Sequence, residues 1–477
     1  MASKVLPLII DGKDVDALSA PSAPIFVPNE GQSVKQRTLV LGATPALCIE
    51  AANSSAAAFA TWRHTSPFER QALLHRAAQL LRERTDEARQ IMEDEIKCSA
   101  KWSAINVNDA VAMLESVAAL TTSGVLSGTS PAVRNHKSHA VVLKEPMGVV
   151  LGIAPWNAPL ILGVRAVAAA VAAGNTTILK GSELSPRTHS FVANLFRDVG
   201  FPPGVINFLV HRPEDASDCF EALIAHPAIR KCNFTGSTAV GRHIAARAAM
   251  NLKPVLLELG GKNFAVVLAD ADNDKAVDHV LEGAFLNSGQ ICMSTDLVLV
   301  SRAVEHAFRA RLHSRLEAIA AEVTSVIHKS SWARIQGLLT DAEQRGAILT
   351  RSTVDVKTAD TLPAVLIENV SRDMQFWAAE SFGPVVGIRV FADPAEVPAL
   401  INGSSYGLSA AVFTNNHVEA LHLARQLDVG AVHVNGSTVH DEACLPHGGV
   451  KNSGWGRFGG YWGFDEFLQT KTVIMNP

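Results

Sequence analysis

Cys292 closes the segment Asn287-Ser288-Gly289-Gln290-Ile291-Cys292. A cysteine is most often a small buried hydrophobe. It becomes a nucleophile when a nearby base or positive field gives it thiolate character. Glu258 is a candidate base. It ends the apolar run of residues 254–257 and precedes Leu259-Gly260-Gly261-Lys262. Burial raises a carboxylate's pKa toward values suited to taking a proton from water. A structural ion pair is the competing role for a carboxylate so placed. Asn157, in Pro155-Trp156-Asn157, can donate an amide N–H to a developing oxyanion. It can also serve simply as a turn residue between two prolines.

A second group of residues suits a phosphorylated ligand. Gly236-Ser237-Thr238-Ala239-Val240-Gly241 follows a strand-like run and opens a helical one. Such a turn offers backbone N–H groups to a pyrophosphate, although the spacing also fits a plain turn with an N-cap serine. Lys180 and Glu183 follow another strand-like run. A lysine there can bind ribose hydroxyls, and a carboxylate can accept from both while repelling a 2′-phosphate, which favours NAD over NADP. The alternative is a solvated pair on a loop. His433, His440 and His447 recur every seven residues, but Gly436 and Pro446 between them break any helix. No metal site is expected from that spacing.

These residues need a scaffold. Short β-branched runs at residues 149–154, 176–179, 205–209, 231–234, 254–259 and 264–268 alternate with helical segments. The pattern predicts an α/β fold, a parallel sheet covered by helices that binds ligands at the carboxyl ends of its strands. A second alternating block spans residues 271–431, with strands expected at 297–300, 385–390, 410–413 and 431–435 and a helix at 304–326. One amphipathic stretch covers residues 66–96, and Ser185-Pro186 reads as the N-cap and first position of a helix. Residues 131–143 and 472–475 read as extended pieces outside both blocks, suited to an interface.

The 477 residues carry a formal charge of −4, with 48% hydrophobic and 18% charged residues. This balance excludes disorder and gives no electrostatic reason to expect nucleic acid or an anionic membrane. The N-terminal apolar stretch is broken by Pro7 and Asp11, so no signal peptide is expected. Residues 147–164 lack charge but contain Pro155 and Pro159, so no membrane span is expected. The six cysteines are scattered, which suits a reducing compartment, with the cytoplasm as default.

Taken together, the motifs resemble the aldehyde dehydrogenase superfamily across nearly the whole chain. The carriers are Pro155-Trp156-Asn157, Lys180 with Glu183, Phe234-Thr235-Gly236-Ser237-Thr238, Glu258-Leu259-Gly260-Gly261-Lys262, Gly289-Gln290-Ile291-Cys292, Glu380-Ser381-Phe382-Gly383-Pro384, and Asn435 with Gly448-Gly449. Within it, the chain looks most like the salicylaldehyde and vanillin dehydrogenase group. That likeness rests on Trp156-Asn157-Ala158-Pro159 through Gly163-Val164-Arg165, Cys292-Met293-Ser294-Thr295, and Thr438-Val439-His440-Asp441-Glu442-Ala443.

The resemblance implies a Rossmann-like cofactor domain (1–123 and 147–257), a catalytic α/β domain (258–459) and an oligomerisation arm with tail (124–146 and 460–477). It further implies a homodimer or homotetramer. It makes Cys292 the nucleophile, Glu258 the base that activates water, and Asn157 with the Cys292 N–H the oxyanion donors. Trp156, Lys180, Glu183, Gly236, Ser237, Glu380 and Phe382 fall in the NAD-binding set, and Arg165, Met293 and His447 in the substrate pocket. The implied reaction is NAD-dependent oxidation of a small aromatic or cyclic aldehyde to its acid. A CoA-acylating dehydrogenase, a thiol esterase and a non-catalytic protein of the same fold are the rivals.

The chain also departs from the family. Phe458 follows Gly456-Arg457 where many relatives carry Glu. His447 stands where relatives usually have Phe, giving a polar wall suited to a substituted substrate. Gly181 replaces a frequent Pro. The span 324–362 looks shortened. Arg165 can meet a polar ring substituent or sit in a structural salt bridge.

Overall fold

The structure, a computed structural model, describes residues 5–28, 38–320, 326–353 and 363–477. Two large sheets organise it. The first has eight strands in the order Gly454–Trp455, Val255–Glu258, Ile229–Thr235, Val149–Ile153, Thr176–Lys180, Ile206–Leu209, Leu8–Ile10 and Lys13–Val15. Its five middle strands are parallel and its edges antiparallel. The second has seven, in the order Ile348–Arg351, Val365–Glu368, Val385–Phe391, Thr295–Ser301, Asn263–Val267, Ser409–Phe413 and Ala431–Val434. All its neighbours are parallel except the Ile348–Arg351 edge.

This is the expected α/β fold. Its central strands are buried along their length, which is why they read as continuous apolar runs rather than alternating ones. Helices cover them. Pro159–Ala172 is buried on nearly every side, its alanines and Gly163 letting neighbouring elements approach closely. Among the described residues no helix is long and apolar enough to cross a membrane. The uncharged window at 147–164 is instead strand Val149–Ile153 and the start of Pro159–Ala172.

Two expectations need correction, and a third is refined. The stretch at 66–96 is two helices, Pro67–Glu83 and Thr85–Ile96, because Arg84 leaves helical geometry (φ −102°, ψ 21°). Its guanidinium is drawn to Glu87 and Asp198. The helix expected at 304–326 runs over Glu305–Ala320, and residues 321–325 lie outside the described residues. Ser185 and Pro186 are the N-cap residue and first position of Pro186–Asp198, as expected, but the Ser185 side chain makes no capping hydrogen bond. The buried Glu95 carboxylate takes that role, accepting from the N–H groups of Arg187 (2.6 Å) and Thr188 (2.9 Å). Burial pushes its carboxyl up to about 7.

The expected extended pieces find each other. His139–Pro146 pairs antiparallel with Leu468–Met475 over eight residues, as a separate two-stranded sheet. Residues 131–138 form no strand. The segment at 324–362 provides helix Lys329–Gln344 and the edge strand Ile348–Arg351, and residues 354–362 lie outside the described residues.

Candidate active site

Glu258 is the last residue of its strand, paired with Thr235 on one side and Gly454 on the other. It therefore stands at the carboxyl end of the parallel sheet, where such sheets bind ligands, and is 1% exposed. Cys292 reaches it through an unusual turn. Asn287, Ser288 and Gly289 are consecutively left-handed (φ 50°, 56° and 69°). A Cβ on Gly289 would lie 2.0 Å from the Gly383 carbonyl oxygen, so that turn requires glycine.

Side chains from both sheets hold the turn. Asn157 donates to the Gln290 carbonyl at 3.0 Å, and Asn287 donates to the Asn157 carbonyl at 3.2 Å. Asn263 donates to the carbonyls of Cys292 (2.9 Å) and Ser294 (2.8 Å). An amide NH₂ has two donors, so Asn157 keeps a second N–H beyond the one given to Gln290.

The Cys292 Sγ, a Glu258 carboxylate oxygen and a His447 ring nitrogen lie within 4.8 Å of one another. Burial, then the charge of Glu258, pushes the Cys292 thiol up well above its ordinary range. Here a thiol can give its proton to a neighbouring carboxylate when a carbonyl carbon comes within reach. The same carboxylate can later take a proton from water.

A cleft of about 500 Å³ opens above these groups, lined by Trp156, Asn157, Ser237, Cys292, Glu380 and Phe382 among others. At Ala239 it meets a largely apolar slot of about 490 Å³ bounded by Leu223, Phe234, Val240, Ile244 and Lys180. Lys180 ends its strand with Nζ 3.8 Å from Glu183 Oε2, and burial lowers its pKa. Ser237 caps helix Thr238–Met250, accepting from the Val240 N–H at 3.4 Å. The N-cap reading of this turn is right locally, and the same turn lines the cleft.

Glu380 lies opposite. Its Oε1 accepts from the Gly261 N–H at 3.1 Å, and a Cβ on Gly260 would fall 2.3 Å from Oε2. Burial pushes its carboxyl up to about 8. The Phe382 ring meets Trp156 edge-on at 6.0 Å.

On the other side, His447 Nε2 is 3.6 Å from Glu258 Oε1, and His447 Nδ1 is 3.6 Å from Asp441 Oδ1. The His447 backbone pairs in both directions with that of Phe458 at 2.8 Å. Arg165 ion-pairs with Asp441, so the salt-bridge role is the one its side chain fills. It also lines a second cleft of about 330 Å³ with Asp109, Ile161, Asp441 and Cys444. Met293 packs against the core of the first sheet and lines none of the three cavities. The histidines do gather, but not as a triad. His433 and His440 meet ring to ring at 5.5 Å, whereas His447 turns to Glu258.

Asp441 and Asp109 carried no assigned role in the sequence. Burial alone would raise the Asp441 carboxyl, but His447 and Arg165 outweigh it and hold it below its usual range. Burial, with Asp441 adding, pushes Asp109 up to about 6. The motif Thr438-Val439-His440-Asp441-Glu442-Ala443 was visible, but nothing in it marks Asp441 as the buried acid. Lys262 and Asp296 form a buried pair at 3.1 Å, and Asp296 accepts from the Ser381 N–H at 3.1 Å, fixing the loop that carries Glu380.

The fold is that of a class of oxidoreductases, and the chain belongs to the aldehyde dehydrogenase family, whose sequence profile matches residues 24–473. It is 41% identical to a vanillin dehydrogenase from a Pseudomonas species over 98% of each chain. The crystal structure of a salicylaldehyde dehydrogenase from Pseudomonas putida complexed with salicylaldehyde matches with a TM-score of 0.92 and 34% identity, covering 99% of this chain and 98% of that one. A betaine aldehyde dehydrogenase from Staphylococcus aureus in complex with NAD+ matches with a TM-score of 0.92 and 28% identity, covering 99% and 94%. These likenesses agree with the aromatic-aldehyde group that the sequence motifs resemble.

Proposed function

We propose that this protein oxidises a small aromatic aldehyde to the carboxylic acid, with NAD as hydride acceptor. One observation carries the reading: the Cys292 thiol and the Glu258 carboxylate lie within 4.8 Å of each other at the sheet's carboxyl end. In the first step Cys292 gives its proton to Glu258 and its sulfur bonds to the aldehyde carbon. The Asn157 side-chain N–H and the Cys292 backbone N–H steady the resulting oxyanion. After oxidation the acyl group is held on sulfur as a thioester. Glu258 first releases the proton it took from Cys292 to solvent; it then takes a proton from water, the hydroxide attacks the thioester, the C–S bond breaks, and the acid leaves as the thiolate is reprotonated.

The residues present fit a dinucleotide. The apolar slot beside Lys180 and Glu183 suits an adenosine, and the Ser237 helix start suits a phosphate. Glu380 and Phe382 line the end nearest Cys292, where they would hold the nicotinamide riboside. Bound there, NAD supplies the hydride acceptor. Glu183 would repel a 2′-phosphate, which favours NAD over NADP. The second cleft, with its polar wall of Arg165, Asp441 and Asp109, suits a ring bearing a hydroxyl. A homodimer or homotetramer joined through the two-stranded arm, in the cytoplasm, completes the reading. The six free cysteines fit that compartment.

The test is NADH formation with a panel of substituted benzaldehydes, with and without CoA, in the wild type and in Cys292→Ala. NADH should form without CoA in the wild type and vanish in the variant, while NAD still binds. Turnover near wild type in Cys292→Ala would overturn the assignment, and strict dependence on CoA would favour the acylating reaction.

A further inference from the structure

We propose that Cys292, Glu258 and His447 together form a Zn²⁺ site, with the cleft supplying an open fourth position. The donor set is the first argument. Thiolate sulfur, imidazole nitrogen and carboxylate oxygen are the three ligand types zinc takes, and a soft sulfur selects it over magnesium or calcium. Tetrahedral zinc places such donors roughly 3.5 Å apart. His447 Nε2 and Glu258 Oε1 are 3.6 Å apart, and the sulfur lies within 4.8 Å of both partners.

The second argument is unmet polarity. Glu258 Oε1 and His447 Nε2 are buried and have no hydrogen-bond partner among the described residues. Their side chains are 1% and 9% exposed. A buried carboxylate oxygen and a buried ring nitrogen that face one another without a hydrogen bond are costly unless something is bound between them. A dication cancels the two negative charges of thiolate and carboxylate, so the loaded site is neutral overall and costs less to bury.

The third argument lies behind the histidine. Asp441 Oδ1 stands 3.6 Å from His447 Nδ1, and Arg165 anchors Asp441. A carboxylate facing the distal ring nitrogen would, once it closes to hydrogen-bond distance, favour the tautomer whose Nε2 lone pair points at the metal, the usual support of a zinc-bound histidine.

Binding converts the thiol to a zinc-bound thiolate and releases its proton to solvent, with no change of oxidation state. The sulfur is then unavailable to an aldehyde. This inhibitory consequence, unlike the metal site itself, rests on Cys292 being the nucleophile.

The experiment uses the full-length protein with the exposed Cys444 changed to Ser, so that its thiol contributes nothing. Co²⁺ is added anaerobically as a spectroscopic probe, and Zn²⁺ is added at buffered free concentrations for activity. The expected result is one cobalt per chain with a near-ultraviolet thiolate-to-cobalt band, displaced by zinc. The band should be lost in Cys292→Ser, and affinity should fall at least about tenfold in His447→Phe and about 10–100-fold in Asp441→Asn. Zinc should inhibit aldehyde oxidation in competition with aldehyde, reversibly with EDTA. Absence of the thiolate band, or equal affinity in His447→Phe, overturns the site. A His447-dependent band with undiminished oxidation would uphold the site and overturn the role of Cys292 in oxidation.

Discussion

The carboxylate of Asp441 ion-pairs with the guanidinium of Arg165 at the wall of the second cleft. Arg165 is 6% exposed, so removing its partner would leave a buried charge without compensation. That costs about 3–5 kcal/mol in a fully buried pair. The Asp441 side chain is 19% exposed, which points to the lower end. Asp441→Asn should therefore lower the thermal midpoint clearly. Arg165→Met combined with Asp441→Asn should recover much of the loss, since no charge then remains to be paired. Differential scanning calorimetry on the four forms decides it. Additive losses would mean that the two residues act separately.

Glu380 makes a pH prediction. Its carboxyl is pushed up to about 8 by burial, so below that pH it is largely protonated. Accepting hydrogen bonds from both hydroxyls of a ribose requires the ionised form. NAD affinity should therefore rise with pH, by up to about tenfold per unit below the pKa, and level off above about 8. Glu380→Gln should bind more weakly at high pH and show no such slope. Gly260→Ala, whose methyl would press on Oε2, should weaken binding by displacing the carboxylate. Titration of NAD by fluorescence across the range is sufficient. Affinity that falls as pH rises would show that the neutral acid is the binding form.

The strands were legible because burial on both faces leaves continuous apolar runs. The strand expected at 176–179 is Thr176–Lys180, and that at 231–234 is Ile229–Thr235. Cys292, Glu258 and Asn157 were legible because each sits in a short motif beside a strand end. Contacts between distant segments were not. Glu95 caps a helix 92 residues away in sequence, while the local candidate Ser185 turns its hydroxyl toward His189 Nδ1 at 3.3 Å. His447 and Glu258 come together through loops whose paths no periodicity encodes. The Arg84 guanidinium at the helix break also pairs with Asp198, a residue beyond the reach of any local pattern.

The dual role proposed for Glu258 predicts a kinetic signature. Glu258→Gln keeps the shape of the side chain but can take a proton neither from the Cys292 thiol nor from water. The first oxidation should be slowed, and deacylation should stall as well. Stopped-flow absorbance should show a slowed burst of roughly one NADH per chain, followed by a steady state reduced by about 10²–10⁴-fold. Burst and steady state falling by the same factor would place Glu258 in the first step alone.

The two-stranded arm carries the last prediction. A two-stranded sheet standing alone is marginal in water, and an open edge invites another strand. Leu468–Met475 nevertheless keeps Val473, Ile474 and Met475 exposed, and Leu143 is exposed on the partner strand. Apolar side chains on such a sheet are explained if a second copy of the chain covers them. Ile474→Asp together with Met475→Asp should then lower the assembly mass measured by light scattering. The fold should survive, because the affected side chains lie outside all three apolar cores. An unchanged mass at low micromolar concentration would show that the arm does not join subunits.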